Sequence, residues 1–336
     1  MICNKKQLGQ FYTKNAEYIL RGFVIPANVV KIEPFVGDGD LAKWGDIDEV
    51  YDIDPKIKNA IIRDTLKNPP KYKDKYVITN PPYLAKNKNK DKSLYNKYKV
   101  DDLYKAFMIS MIDGSVCGGI LIIPLNFLCS QDTDIRNRLF MKYDVIKINI
   151  FEEAVFDDTD IPVCAIQFMR KELQMLGSST ETETEITSYP NNITFKHVFK
   201  KSENWMVGGE LYNNKIKSNY KIGRLLKNGK DHTNLYLYAI DGGLPENRIR
   251  LEYRDTPFYG KISDRSFATI TSNIKIENVE YVINSFNRII EYYRIKYNSL
   301  FLTNFRNSTK HYVRKRLTFK LAFNIIQHIL NKQKFS

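Results

Sequence analysis

Val29-Val30-Lys31-Ile32-Glu33-Pro34-Phe35-Val36-Gly37-Asp38-Gly39-Asp40-Leu41 opens as an apolar, strand-like run and breaks into a loop in which glycine alternates with aspartate. The same kind of unit recurs downstream. Glu49-Val50-Tyr51-Asp52-Ile53-Asp54-Pro55 ends in acids and a proline, and Tyr76-Val77-Ile78-Thr79 runs into Asn80-Pro81-Pro82-Tyr83. The spacing of Leu103, Phe107, Ile109 and Met111 predicts a helix before a fourth run, Gly119-Ile120-Leu121-Ile122-Ile123-Pro124. Val145 to Phe151 and Val163 to Met169 supply two more. Strands alternating with helices predict an α/β fold with a doubly wound, mostly parallel sheet, whose ligands bind beyond the carboxyl ends of the strands. The chemistry is expected at those ends.

With 336 residues the chain is long enough for two domains, each with its own core. At 43% hydrophobic and 27% charged residues it reads as a globular protein, and no apolar stretch approaches membrane-spanning length. Met1-Ile2-Cys3-Asn4-Lys5-Lys6 leads into Gln7 instead of an apolar signal core, so a cytoplasmic, intracellular protein is expected. Cys3, Cys117, Cys129 and Cys164 show no zinc-site spacing and are expected to be reduced, mostly buried thiols. His197, His232, His311 and His328 are equally scattered, so neither a metal nor a histidine base is expected.

Net charge divides sharply along the chain. Residues 1–199 hold 27 Lys+Arg against 27 Asp+Glu, whereas residues 200–336 hold 25 against 11, which is the whole excess of +14. Basic side chains gain affinity for polyanions by releasing counterions from phosphates, so the asymmetry points to nucleic acid bound by the C-terminal part. A solvated basic surface is the plain alternative. Aromatics are interleaved with the charges in Tyr292-Tyr293-Arg294-Ile295-Lys296-Tyr297 and Lys310-His311-Tyr312-Val313-Arg314-Lys315-Arg316, where base stacking and core packing would both use them. The polar stretch 178–187 reads as a linker or surface loop, which sets the expected domains at 1–185 and 186–336. Helical spacing returns at Val282, Phe286, Ile289, Ile290 and Tyr293, and at Leu317, Leu321, Ile325 and Ile329, so the second domain is expected to be mixed α+β.

The corner Asn80-Pro81-Pro82-Tyr83 carries the most chemistry. Two consecutive prolines fix the backbone and remove two N–H donors, leaving carbonyls to accept without competition. An amide oxygen, a proline carbonyl and an aromatic ring side by side suit the exocyclic amino group of a flat heterocycle. A strand-ending turn would use the same residues. Upstream, Gly37 lies where a backbone must approach a ligand closely, although the third glycine of the dinucleotide fingerprint is missing. Asp52 at a strand end is placed to bind the hydroxyls of a ribose, and Asp64 could bind the amino group of an adenine.

Taken in order, Glu33, Gly37, Asp52, Asp64 and Asn80-Pro81-Pro82-Tyr83 resemble the gamma class of S-adenosylmethionine-dependent DNA adenine-N6 methyltransferases, over about residues 7 to 170. Leu8-Gly9-Gln10-Phe11-Tyr12-Thr13 is similar to the family's N-terminal cofactor motif, and Ala154-Val155-Phe156 to the motif whose Phe packs on a flipped base. The departures are Lys14-Asn15 where the family often has a proline, and the acidic Asp38 and Asp40 in the glycine loop. The resemblance implies a Rossmann-like methyltransferase sheet followed by a DNA-recognition domain. Tyr12, Thr13, Glu33, Phe35, Gly37, Asp52, Ile53, Asp64 and Asn80 would bind S-adenosyl-L-methionine, with Glu33 at the methionine end.

Asn80, Pro81, Pro82, Tyr83 and Phe156 would then act on an adenine flipped out of double-stranded DNA, with Tyr83 and Phe156 stacking on the base. Hydrogen bonds to the Asn80 side-chain oxygen and the Pro81 carbonyl would draw the amino nitrogen toward tetrahedral geometry, with no metal and no strong base. A companion restriction endonuclease fits this family; a membrane does not. The Lys-rich stretch 86–92 would hold DNA backbone or form a surface loop. An RNA adenine enzyme, a cytosine-N4 enzyme and an inactive DNA-binding module on the same scaffold stay open.

Overall fold

The computed structural model describes residues 9–157, 159–171, 182–213, 217–229, 232–242, 248–306 and 312–333. Leu8 of the N-terminal motif, Cys3, Lys310 and His311 lie outside them. The described chain packs as two compact units, one drawn from residues 1–127, 132–200 and 307–312 and the other from 128–131, 201–306 and 313–336.

The first unit is built on a nine-stranded sheet. Its strands are β1 Lys31–Glu33, β2 Glu49–Asp52, β3 Ile61–Ile62, β4 Tyr76–Thr79, β5 Gly118–Pro124, β6 Tyr143–Phe151, β7 Val163–Arg170, β8 Glu183–Tyr189 and β9 Ile193–Val198, arranged in the order 3-2-1-4-5-7-6-8-9. Strands β1 to β5 are all parallel, β7 runs antiparallel between β5 and β6, β8 lies parallel to β6, and β9 closes the edge antiparallel to β8. The mixed α/β sheet is therefore mostly parallel, as the alternation of elements predicts. The chain moves outward from β1 to β3 and then returns to place β4 on the other side of β1. The crevice past the carboxyl ends of β1 and β4 lies where this reversal parts the connections, the usual place for a ligand in an open α/β sheet.

The core sits under β4 and β5. Tyr76, Val77, Ile78 and Ile120 to Ile123 are all 0% exposed, as is Phe107 on the helix Leu103–Asp113. That helix is buried from Leu103 to Ile112, and the ammonium of Lys105 is neutralised within it by Asp101 at 2.8 Å and Asp132 at 2.5 Å.

Strands β3, β8 and β9 are not expected from hydrophobic runs. Ile61 and Ile62 form a two-residue strand and are largely exposed. The supposed linker 178–187 becomes strand from Glu183 onward, because its alternation is real, with Thr184 and Ile186 turned inward and only one of the two apolar. Thr184 is buried and its hydroxyl donates to the Val145 carbonyl at 2.7 Å, while Glu183 and Glu185 point outward to Lys196 and Lys147.

The second unit holds a four-stranded antiparallel sheet of β10 Ile222–Arg224, β11 Leu235–Tyr238, β12 Arg250–Tyr253 and β13 Phe267–Ser272, ordered 10-13-11-12. The helix Val279–Lys296 packs on β12 and the helix Phe319–Gln333 on β10, and the two helices also pack on each other. Asn278 caps the first, its side-chain oxygen accepting from the Tyr281 amide at 2.9 Å. A further pair, β14 Thr303–Phe305 with β15 Arg314–Arg316, places the basic triplet 314–316 on a strand, with Arg314 and Arg316 both against the Phe305 ring. No described helix is long and apolar enough to cross a membrane.

Candidate active site

The strand order brings Glu33, Asp52 and Asn80 to one edge, since β1 ends at Glu33, β2 at Asp52, and β4 just before Asn80. Two cavities open there. The larger, about 260 Å³, has Asp52, Ile53 and Asp64 in its walls; the smaller, about 20 Å³, has Thr13, Glu33, Gly37 and Asn80. Tyr12 and Phe35 belong to both walls, so the two adjoin. All nine residues expected to hold a cofactor line one or the other. The catalytic set divides differently: Asn80 and Pro82 are lining residues, whereas Pro81, Tyr83 and Phe156 are buried outside both walls.

The two buried acids of the site differ in how they are satisfied. Asp52, 4% exposed, accepts the Gly37 amide on one oxygen and the Asp54 amide on the other, each at 2.9 Å. These bonds bend the glycine loop back over the end of β2 and satisfy both oxygens of a buried carboxylate. Glu33 is 1% exposed, and its Oε2 has no hydrogen-bond partner. Burial, reinforced by the negative charges of Asp52 and Asp40, pushes the Glu33 carboxyl well above the ordinary glutamate range. An unsatisfied buried oxygen costs free energy until a cation or donor reaches it. Among the described residues none bonds to it.

Gly37 turns at φ +52°, and a Cβ there would stand 2.7 Å from Cδ1 of Tyr12. Glycine is thus required both by the left-handed backbone and by the aromatic ring shared between the cavities. The segment carrying Tyr12 is fixed from the other side: the Tyr83 amide donates to the Gly9 carbonyl at 2.9 Å, and Asn80 Nδ2 donates to the Phe11 carbonyl at 2.6 Å and to Thr13 Oγ1 at 3.2 Å.

These bonds also settle which way the Asn80 amide points. A carbonyl can only accept, so the nitrogen must face Phe11 and Oδ1 must face the other way. There Oδ1 accepts from the Tyr83 hydroxyl at 2.5 Å, and that hydroxyl also lies 2.5 Å from the Ile122 carbonyl. One hydroxyl proton is shared between two acceptors. The Tyr83 ring is 3% exposed, packed edge-on to Tyr104 at 6.1 Å and tilted against Phe11 at 5.8 Å. Burial pushes its hydroxyl well above the ordinary range, so it stays a neutral donor. The Pro81 carbonyl accepts no hydrogen bond from the described residues.

Asp64 stands at the wall of the larger cavity with its carboxylate accepting from the Lys67 amide at 3.2 Å and near the Lys67 ammonium at 3.6 Å. Sequence reading misses Gln10, Arg63, Leu66, Leu84 and Leu103 in the same walls. Leu84 directly follows Tyr83 and Leu66 lies two residues after Asp64, and their apolar character close to those positions is the signal that could have marked them. Ile53, 49% exposed, adds another apolar surface to the cavity. The Lys-rich stretch forms a loop whose neck is closed by the Ala85–Asp102 bridge and by the Leu84 amide donating to Asp102 at 3.0 Å; it contributes Asn89 and Asp91 to the larger cavity. Burial raises the Asp102 carboxyl to about 6. Among the described residues no group of three or more His, Cys, Asp or Glu is placed to hold a metal ion.

Residues 50–156 match the sequence profile of the family described as Eco57I restriction-modification methylase. The match spans Asp52, Asp64 and Asn80 to Tyr83, and leaves out the segments of Tyr12 and Glu33. No curated protein matches the chain. Among solved structures, a modification subunit assigned to a type I restriction enzyme from Vibrio vulnificus YJ016 is 14% identical, with 57% of this chain and 56% of that one covered at a TM-score of 0.40. The type I restriction-modification methyltransferase subunit from Streptococcus thermophilus is 15% identical, covering 55% and 48% at 0.36. The type IIG restriction endonuclease BpuSI is 16% identical, covering 69% and 37% at 0.39. The chain thus spans between 37% and 56% of the length of these three proteins.

Proposed function

We propose that this chain is a restriction-modification DNA methyltransferase that moves a methyl group from S-adenosylmethionine to N6 of an adenine flipped out of duplex DNA. The observation that carries the reading is the shared small cavity, in which the unpartnered carboxyl of Glu33 and the amide of Asn80 stand together. A cationic ligand group supplies what Glu33 lacks, and the ammonium of the cofactor's methionine end is such a group. Asp52, already held by two backbone amides, keeps lone pairs for two ribose hydroxyls. The apolar Ile53 and Leu66 suit a flat adenine ring, and Asp64 its amino group. The cofactor would supply an electrophilic methyl on its sulfonium.

The chain's own residues act on the nucleophile. The N6 lone pair of adenine is delocalised into the ring, and acceptors at its two hydrogens return it to nitrogen. Asn80 Oδ1 has one lone pair engaged by Tyr83 and a second available, and the Pro81 carbonyl is free. Both also stabilise the positive charge that develops on nitrogen during transfer. For Tyr83 the geometry supports a positioning role, since its hydroxyl holds the Asn80 amide in place. Stacking of the base on Tyr83 and Phe156 requires the packing around both rings to open, since both are buried. The basic second unit would bind the DNA, and a companion nuclease fits the restriction-modification setting.

The direct test uses the full chain, methyl-labelled S-adenosylmethionine and unmethylated genomic DNA, followed by nucleoside analysis. Label in N6-methyladenine is expected. Label found only in cytosine, in RNA or in protein would overturn the assignment.

A further inference from the structure

The helices Val279–Lys296 and Phe319–Gln333 bury Val282, Phe286 and Ile290 from one side and Ala322, Ile326 and Ile329 from the other. A groove of about 350 Å³ is left beside that seam, with Ile289, Tyr293 and Ile325 in its walls. Leu211 completes its apolar side, and the other walls are polar: Arg288, Tyr292, Asn324, His328 and Lys332. Among the described residues Arg288 and Lys332 make no hydrogen bond or ion pair, and the Asn324 amide is equally unengaged. Among the described residues no carboxylate lines the groove. Of the neighbouring acids, Glu210 is engaged by Lys296 at 2.7 Å and Tyr297 at 2.5 Å, and Glu291 by Arg294 at 3.3 Å.

Two unneutralised cations facing one groove are a site for an anion, and the planar guanidinium suits phosphate in particular. An exposed tyrosine ring beside them is a platform for a base: Tyr292 is 57% exposed. Asn324 offers a donor and an acceptor in one plane, the pattern that reads a base edge. Burial and the charge of Lys332 hold the His328 imidazole below its ordinary value, so near neutral pH it adds one donor and one acceptor instead of a third charge. The volume falls in the range of small-ligand pockets, roughly 300 to 1,000 Å³, which accommodates a single nucleotide and excludes a duplex.

We propose that this groove takes one nucleotide of the DNA substrate, its phosphate on Arg288 and Lys332 and its base against Tyr292, with Asn324 and His328 at the base edge. The inference rests on the DNA-methyltransferase reading and locates part of its DNA contact in residues that the sequence does not bring together. Sequence motifs point to other basic clusters, notably 314–316. The groove differs from that cluster in the exposure of its aromatic ring, Tyr292, where the ring beside Arg314 and Arg316 is the half-buried Phe305.

The test measures binding of the full chain to labelled random-sequence duplex DNA by fluorescence anisotropy across a salt series. Arg288→Ala with Lys332→Ala should weaken binding about tenfold or more and reduce the slope of log affinity against log salt by about two, one per lost phosphate contact. Tyr292→Ala should weaken binding severalfold, and Tyr292→Phe should restore it. S-adenosylmethionine affinity, read by calorimetry on the same proteins, should stay at the wild-type value. Wild-type DNA affinity and salt slope in the double variant would overturn the inference, as would equal losses in Tyr292→Phe and Tyr292→Ala, or tighter binding of single-stranded RNA than of the duplex. If the unaltered protein neither binds nor methylates DNA, the underlying reading fails; if it methylates DNA while the variants bind it normally, only the groove assignment fails.

Discussion

The first unit keeps its polar groups inside and the second displays them, and the two arrangements are suited to different ligands. At the strand ends Asp52, Asn80 and Tyr83 are buried or half-buried and held by hydrogen bonds, many of them to backbone amides and carbonyls, with the buried Glu33 carboxyl beside them, so a small ligand meets groups already oriented. Along the helices of the second unit Arg288, Tyr292 and Lys332 are solvent-facing, and among the described residues Arg288 and Lys332 have no ion-pair partner. A buried site contributes direction and differential stabilisation, whereas an exposed basic one contributes long-range attraction that salt screens.

Salt gives the largest contrast. Between about 50 and 200 mM salt, duplex DNA affinity should fall by about 10³-fold, as for a protein meeting several phosphates. Affinity for S-adenosylmethionine, bound among buried groups, should change less than about threefold over the same range. Equal dependence of both, measured by anisotropy and calorimetry, would erase the distinction between the two regions.

Removal of the acceptor that faces the substrate comes next. Asn80→Ala should lower the methyl-transfer rate by about 10²-fold or more, the usual loss when one preorganised hydrogen-bonding group is deleted from a transition-state site. Asn80→Asp restores an acceptor but loses the donor to the Phe11 carbonyl, and is expected to fall between the two. A single-turnover assay with saturating cofactor separates the rate from binding, and an unimpaired Asn80→Ala would break the proposed mechanism.

Asp52→Ala should weaken S-adenosylmethionine binding by about 10- to 100-fold, since each hydrogen bond to a charged group is worth about 1.5 to 3 kcal/mol. Unchanged calorimetric affinity would place the ribose elsewhere.

The role of Glu33 can be tested by pH. The fold raises the carboxyl of Glu33, so ionisation costs the empty protein stability as pH climbs from the ordinary glutamate range through the folded value. A cationic ligand group favours the ionised form. Cofactor affinity should therefore rise with pH and level off once Glu33 is ionised, with proton release on binding below that point. Glu33→Gln should abolish the proton release, seen by calorimetry in buffers of different ionisation enthalpy. Persistent release in that variant would assign the proton to another group.

The smallest effect concerns Gly37→Ala. The left-handed backbone alone costs about 1 to 2 kcal/mol with a Cβ, and the contact with Tyr12 adds to it. A lower Tm and severalfold weaker cofactor binding are expected; wild-type values would show that Tyr12 can move freely.

The alternation of apolar runs and the residues closing them, Glu33, Asp52 and Asn80 to Tyr83, were legible in sequence because short parallel strands are continuous apolar segments and their ends are where polar groups are tolerated. The same local logic misread 183–187, where buried threonine satisfies its hydroxyl on a neighbouring strand carbonyl that no linear pattern reveals. It also read Tyr83 as a stacking ring. Burial against Phe11 and Tyr104, and a hydroxyl bound to Asn80, depend on residues far apart in the chain.

The sequence by itself determined the first unit's class of fold, the strand ends at which Glu33, Asp52 and Asn80 stand and the charge division between the halves, since each follows from composition or from neighbours in the chain. Only the tertiary structure decided that Glu33 is left without a partner while Asp52 has two, which way the Asn80 amide points, and that Arg288, Tyr292 and Lys332 face one groove. The physical reason is common to all three. Desolvation, hydrogen-bond satisfaction and charge pairing are set by what surrounds a group in space, and packing brings those surroundings together from segments that the sequence keeps apart.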